Sequence, residues 1–276
     1  MNIKECFERN GYVIIKNVFN KEEIAKLKSA VERVYSKVQE DPSSYQVRYI
    51  DETDNWGVDH IFELSLYEQE FGDVFNNKML MDSIKEIVKE ELRFWGANLL
   101  WSPKKKDYSL NWHRDFENSN FFNPSGRSTH VQFNIPLYTD SCFITIPGSH
   151  KRELSSLEKE EVTREGIGSL PGQKIIKCLP GEVLLMNAHT LHRGYCSANT
   201  FRRTLHFNVQ PKSESTGGHS SYKYIREANY LQYMNPVVRR LMENLIEWED
   251  LNPLSKAEII RRMRFHKKRN KHKASK

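Results

Sequence analysis

The chain has 276 residues, of which 38% are hydrophobic and 28% charged, with 42 Lys and Arg against 36 Asp and Glu. That apolar content supports a sizeable core and excludes a chain disordered throughout. No run of about 18 apolar residues occurs, which excludes a membrane-spanning helix, and the acid-containing start "MNIKECFERN" lacks the apolar stretch of a secretory signal.

Residues 12–19, "YVIIKNVF", predict a strand. Asn20 with Glu23 predicts a capping box, and Ile24, Leu27, Val31 and Val34 follow at helical spacing. Residues 42–62 and 103–111, rich in Pro, Ser, Asp and Asn, predict loops beside a cavity mouth, with a helix at 81–91 between them. In "STHVQFNIPLYT", Val131, Phe133 and Ile135 alternate with His130, Gln132 and Asn134, as in a strand with one polar face. The charged stretch 151–170 predicts a loop with a short helix. Strands are expected at 174–178, 182–187 and 201–210. A Gly- and Ser-rich break at 214–222 precedes helices signalled by Asn235-Pro236 and by Ser255 with Glu258. The chain ends in "RRMRFHKKRNKHKASK", residues 261–276, with nine basic residues and no acid. The net +6 therefore belongs to this tail, and the rest is net −3. The tail is expected to be solvated and disordered, with weak contact to an anionic surface as the alternative. No nucleic-acid motif accompanies it, so no specific nucleic-acid partner is expected. The four cysteines, Cys6, Cys142, Cys178 and Cys196, show no C-x-x-C spacing and read as free thiols of a reducing, cytoplasmic compartment.

"NWHRDFE" contains His113, Arg114 and Asp115, and His192 stands 77 residues beyond Asp115 in "HTLHRGYCSANTFRRTLHF". Two imidazoles and one carboxylate form the facial set that holds non-haem Fe(II) and leaves its other face open. Residues i and i+2 of a strand point the same way, so His113 and Asp115 reach one ion while Arg114 points away. His192 must come from a strand near in space, and a double-stranded β-helix, two sheets facing over a cavity, provides that. In "FRRTLHFNVQ" one face carries Arg203, Leu205, Phe207 and Val209, and the other Arg202, Thr204, His206 and Asn208. The apolar face wants a packed core and the polar face a charged cavity, so Arg202 rather than Arg203 points toward the metal. A guanidinium there grips a carboxylate through paired hydrogen bonds. Trp112 and Phe116 flank the ligands as pocket-shaping or core aromatics.

The series "FERNGYVIIKNVFNKEEIAKLKSAVERVY", "NWHRD", "ITIPGSHKRE", "PGEVLLMNAHTLHRG" and "FRRTLHF" resembles the phytanoyl-CoA dioxygenase family, from about residue 5 to 210. The resemblance implies a mostly β fold with flanking helices. Its jelly-roll, cupin-like core spans about 93–210, is packed by N-terminal helices and by C-terminal helices at about 222–260, and forms with them one domain over 1–260. It implies an Fe(II)/2-oxoglutarate-dependent dioxygenase that consumes O2 and hydroxylates a small-molecule substrate. His113, Asp115 and His192 are implied as the iron ligands. Arg202 is implied as the anchor of the distal carboxylate of 2-oxoglutarate, and Gln132, or else Asn134, as a second contact to it. His150 is implied as structural. Related halogenases lack the carboxylate that Asp115 supplies, so hydroxylation is favoured. The chain departs from the family at Ser141 and Cys142, and at Ser102 and Lys104, which touches the substrate pocket rather than the ligands. Two other functions compete: a cupin-like binding or isomerising protein, which has no need of Arg202, and a polyanion-binding protein using the tail, against which the intact ligand set argues.

Overall fold

In the computed structural model, residues 2–115, 130–214, 223–257 and 259–260 are described. Phe116, Glu258, the basic segment 261–276 and all but the first residue of the break at 214–222 lie outside them.

In chain order the elements are α1 (Ile3–Asn10), β1 (Tyr12–Ile15), α2 (Lys21–Glu40), β2 (Val47–Asp51), β3 (Asp54–Asp59), α3 (Gln69–Asp73), α4 (Lys78–Val88), β4 (Leu92–Trp101), β5 (Tyr108–Ser109), β6 (Val131–Pro136), β7 (Asp140–Thr145), α5 (Ser156–Thr163), β8 (Lys174–Cys178), β9 (Val183–Asn187), β10 (His192–Cys196), β11 (Arg203–Pro211) and α6 (Pro236–Leu251). Seven strands form a large sheet in the order β1-β9-β6-β11-β4-β3-β2, and four form a small one, β5-β10-β7-β8. The strand pairs are antiparallel. This is the mostly β, double-stranded β-helix architecture with flanking helices.

The alternation read from the sequence decides where each side chain goes. Leu205, Phe207 and Val209 of β11, with Val131, Phe133 and Ile135 of β6, are fully buried in the main core. That core lies on the helical side of the large sheet. Ala30 and Val31 of α2, Leu80 and Ile84 of α4 and Met242 of α6 close it. Phe207 packs against Phe133 with ring centroids 5.3 Å apart, and against Phe62 at 6.0 Å. The opposite face of the same strands is polar. A cross-strand row places Asn98, His206 and Asn134 side by side on β4, β11 and β6. That row looks toward the small sheet, and apolar groups meet across the same space, Trp56 and Leu100 with Tyr108 and Cys196, and Leu184 and Met186 with Phe143 and Ile176.

Several boundaries differ from expectation. The segment 42–62, read as a loop, contains the β2–β3 hairpin, which extends the large sheet through β3 and β4. Gly57 allows this, because a Cβ there would stand 2.8 Å from the carbonyl oxygen of Leu99. The helix expected at 81–91 begins earlier, at Lys78, where Asn77 caps it by accepting from the Leu80 amide at 3.0 Å. The capping box at Asn20 and Glu23 forms, as does the helix opened by Asn235. No helix among the described residues is long and apolar enough to cross a membrane.

Gly11 ties the N-terminal helix to the site. It ends α1 at φ +78, in the left-handed region, and its carbonyl accepts from the amide of Asn187 at 2.8 Å and the hydroxyl of Thr190 at 3.1 Å. A Cβ there would meet Thr190 and His150. Gly11→Ala is expected to cost at least about 1–2 kcal/mol from backbone strain alone. Urea unfolding would show it as a lower midpoint at unchanged slope.

Candidate functional site

His113 does not lie in a regular strand, contrary to expectation. It forms an isolated antiparallel bridge with His192 at the start of β10. The two backbones exchange both hydrogen bonds, His113 N to His192 O at 2.9 Å and His192 N to His113 O at 3.0 Å. Asp115 N then donates to Ala188 O at 3.0 Å. The extended backbone preserves the i, i+2 parity all the same. His113 and Asp115 face the inter-sheet space, while Arg114 turns away and donates to the carbonyls of Ser149 and Arg152 at 2.6 and 3.1 Å.

The three side chains converge. Asp115 Oδ1 lies 3.5 Å from His113 Nε2, and Oδ2 lies 3.4 Å from His192 Nε2. One donor atom from each residue fits within a cluster where none is more than 4.8 Å from another. Both imidazoles are set the same way. His113 Nδ1 donates to Asn111 O at 2.7 Å, and His192 Nδ1 donates to Thr190 O at 2.8 Å. A backbone carbonyl only accepts, so each ring carries its proton on Nδ1 and directs the Nε2 lone pair inward. Two lone pairs and a carboxylate aimed at one point suit a divalent cation, and the donor set is that of non-haem iron. Electrostatics agree. Burial pushes the Asp115 carboxyl up, but the adjacent His192 and His113 hold it well below the usual carboxylate range. Burial pulls His113 down, yet Asp115 outweighs this and leaves its pKa above the ordinary value. The cluster favours positive charge at its centre.

Gln132, expected as a co-substrate contact, stands beside the ligand cluster. Its amide donates to Asp115 Oδ2, and the residue is buried. Asn134, the alternative, accepts from His206 Nδ1 at 2.7 Å. Burial lowers the His206 pKa to about 3, so this imidazole is neutral. Trp112 is a core residue: fully buried, it donates from Nε1 to Gly168 O at 2.7 Å. His150 is structural, with Nε2 donating to Glu8 O at 3.0 Å.

Arg202 and Arg203 part as the strand alternation requires. Arg203 leaves the site, donating from Nε to Glu32 of α2 at 2.8 Å and stacking over Tyr35 at 3.9 Å. Arg202 is buried between the sheets. A narrow slot lined by Arg202, Thr204, Asp140, Asn134, Leu184, Ile176 and Phe143 runs beside it. The ring of Phe143, one wall of the slot, stands 5.5 Å from that of His192.

Two partners of Arg202 escaped sequence reasoning. Its Nε donates to Asp140 Oδ2 at 2.7 Å, and its Nη1 donates to the hydroxyl of Tyr108. Burial pulls the guanidinium pKa down and Asp140 more than restores it; the same pairing holds Asp140 below its ordinary value against burial. A cavity of about 570 Å3 opens on His113. Its walls include Gln46, Arg48, Trp56, Asp59, Leu110 and Asn111. Arg48 donates from Nε to Asp59 Oδ1 at 2.7 Å and lies over the Trp56 ring.

Comparison with known proteins gives a consistent picture. The family description for phytanoyl-CoA dioxygenase matches residues 7–205. The ectoine dioxygenase of Bordetella bronchiseptica is 24% identical over 235 residues, covering 77% of this chain and 75% of that protein. The crystal structure of EctD from S. alaskensis with bound Fe superposes with a TM-score of 0.60 at 16% identity, covering 77% of each chain. The structure of the same enzyme with 2-oxoglutarate and 5-hydroxyectoine gives 0.58 at 18% identity, over 77% of this chain and 76% of that one.

Proposed function

Because the chain belongs to the phytanoyl-CoA dioxygenase family, we propose that His113, Asp115 and His192 hold its iron, that Arg202 seats its co-substrate, and that it hydroxylates a polar small molecule. It is an Fe(II)- and 2-oxoglutarate-dependent dioxygenase. The observation that carries the ligand assignment is the pair of Nδ1-anchored imidazoles flanking one carboxylate. With Fe(II) bound, oxidative decarboxylation of 2-oxoglutarate by O2 supplies the oxidant for a substrate C–H bond and releases succinate and CO2.

The protein's own part is orientation and exclusion of water. The carbonyls of Asn111 and Thr190 fix both rings, and the amide of Gln132 fixes the carboxylate. Such outer partners keep ligands in place and tune their basicity. Arg202 offers a buried cation on the wall of the slot, suited to the distal carboxylate of a five-carbon keto diacid. The slot walls Phe143, Ile176 and Leu184 shield the guanidinium of Arg202 from bulk water. On the His113 side the cavity mixes the Trp56 ring with Gln46, Asn111 and the Arg48–Asp59 pair. That lining suits a hydrophilic metabolite better than a long acyl chain.

Two experiments test this reading. Succinate should form from 2-oxoglutarate when the protein is given Fe(II), ascorbate and O2. Incubating the loaded enzyme with pools of polar metabolites should reveal a product heavier by one oxygen. Absence of succinate at every substrate tried would reject the activity. A separate prediction concerns Gln132. Gln132→Leu is expected to weaken Fe(II) affinity about 10–100-fold while leaving the fold intact. Equilibrium dialysis against Fe(II) under anaerobic conditions measures it.

A further inference from the structure

Building on the reading of Arg202 as the co-substrate's seat, we propose that Asp140 is a built-in counter-ion of that seat, holding the guanidinium ready and lowering its preference for a ligand carboxylate. Arg202 and Asp140 are 5% and 7% exposed, so neither charge is neutralised by solvent. Asp140 is held from three directions. Arg202 Nε donates to its Oδ2 at 2.7 Å, the hydroxyl of Thr204 donates to the same oxygen at 2.5 Å, and the amide of Cys142 donates to Oδ1 at 2.7 Å. Swinging the carboxylate aside would leave all three donors unpaired in a buried place. Asp140 therefore stays when the co-substrate arrives.

The guanidinium is only partly used. Nε serves Asp140 and one hydrogen of Nη1 serves Tyr108, while Nη2 makes no hydrogen bond among the described residues. The end of the fork remains open toward the slot, and its plane is set by the two bonds already made. A second carboxylate docking there meets the cation and, just behind it, an anion of like sign to itself. Between buried groups a few ångströms apart, the repulsion offsets a large part of the attraction. The arrangement trades affinity for a folded ligand-free state, because a buried Arg202 with no counter-ion would be strongly destabilising.

The test compares two keto acids that share a chelating end. 2-Oxoglutarate carries a distal carboxylate, and 2-oxovalerate has a methyl group in its place. Binding of each to the Fe(II)-loaded protein is measured by anaerobic calorimetry. Loss of an unshared buried charge contact weakens binding by about thirtyfold to several thousandfold. With Asp140 sharing Arg202, the intact protein is expected to prefer 2-oxoglutarate by less than about thirtyfold. Asp140→Asn should bind 2-oxoglutarate at least about tenfold more tightly and 2-oxovalerate no more tightly. An unchanged or weakened affinity for 2-oxoglutarate in folded Asp140→Asn overturns the proposal. If that variant does not fold, the intact protein alone decides, and a preference above the thirtyfold mark overturns it. Arg202→Ala separates the two layers. If it keeps the intact preference, the seat lies elsewhere and the parent reading fails with this one. If it loses the preference but Asp140→Asn does not widen it, only the role of Asp140 fails.

Discussion

His113→Ala is expected to form no succinate from 2-oxoglutarate under conditions in which the intact protein does. The effect should be a loss of at least about a hundredfold, since a metal that polarises reacting oxygens supplies several kcal/mol. The geometry explains why one side chain suffices. In the proposed site three ligands share one ion, and removing an imidazole leaves a carboxylate and a single histidine, a far weaker site. The variant should still fold, because the backbone bridge between His113 and His192 uses main-chain atoms only. Circular dichroism and an unaltered unfolding midpoint would confirm that. Equal turnover in both proteins would reject His113 as a ligand.

Arg202→Ala should raise the KM for 2-oxoglutarate, by up to about 2 kcal/mol, the low end of the cost of truncating a buried charge contact, because Asp140 already shares the guanidinium. Arg203→Ala should leave that KM nearly unchanged. The contrast follows from strand parity: one guanidinium faces the slot and its neighbour faces α2. Arg203→Ala should instead lower stability, through the lost contact with Tyr35 and a pair whose Glu32 side chain is 44% exposed. The test is a KM series for both variants at saturating metal. The opposite ranking would overturn the assignment of faces in β11.

Much of the site was legible because β-strand chemistry is periodic. Alternation in "FRRTLHFNVQ" separated Arg202 from Arg203, and the same alternation in β6 put Gln132 and Asn134 on the inner face. The spacing of His113 and Asp115 predicted a shared direction, which holds although the segment is an isolated bridge rather than a strand. What remained hidden depends on contacts between distant parts of the chain. Asp140 meets Arg202 across 62 residues and Tyr108 meets it across 94, and neither lies in a segment whose pattern announces a cavity. Gln132 was assigned to the right face, but its hydrogen bond to Asp115 was not foreseen, because parity gives direction and not partner. The β2–β3 hairpin was missed for a compositional reason. The Pro, Ser, Asp and Asn residues of the segment 42–62 read as loop formers, yet Gly57 is what lets β3 approach β4 closely.

The convergence of His113, Asp115 and His192 on one ferrous ion is tested most directly by anaerobic titration of the metal-free protein with Fe(II). One ion should bind per chain, and the double variant His113→Ala/His192→Ala should bind none at the same concentrations. Undiminished uptake of one ion by that double variant would place the iron elsewhere and contradict the account.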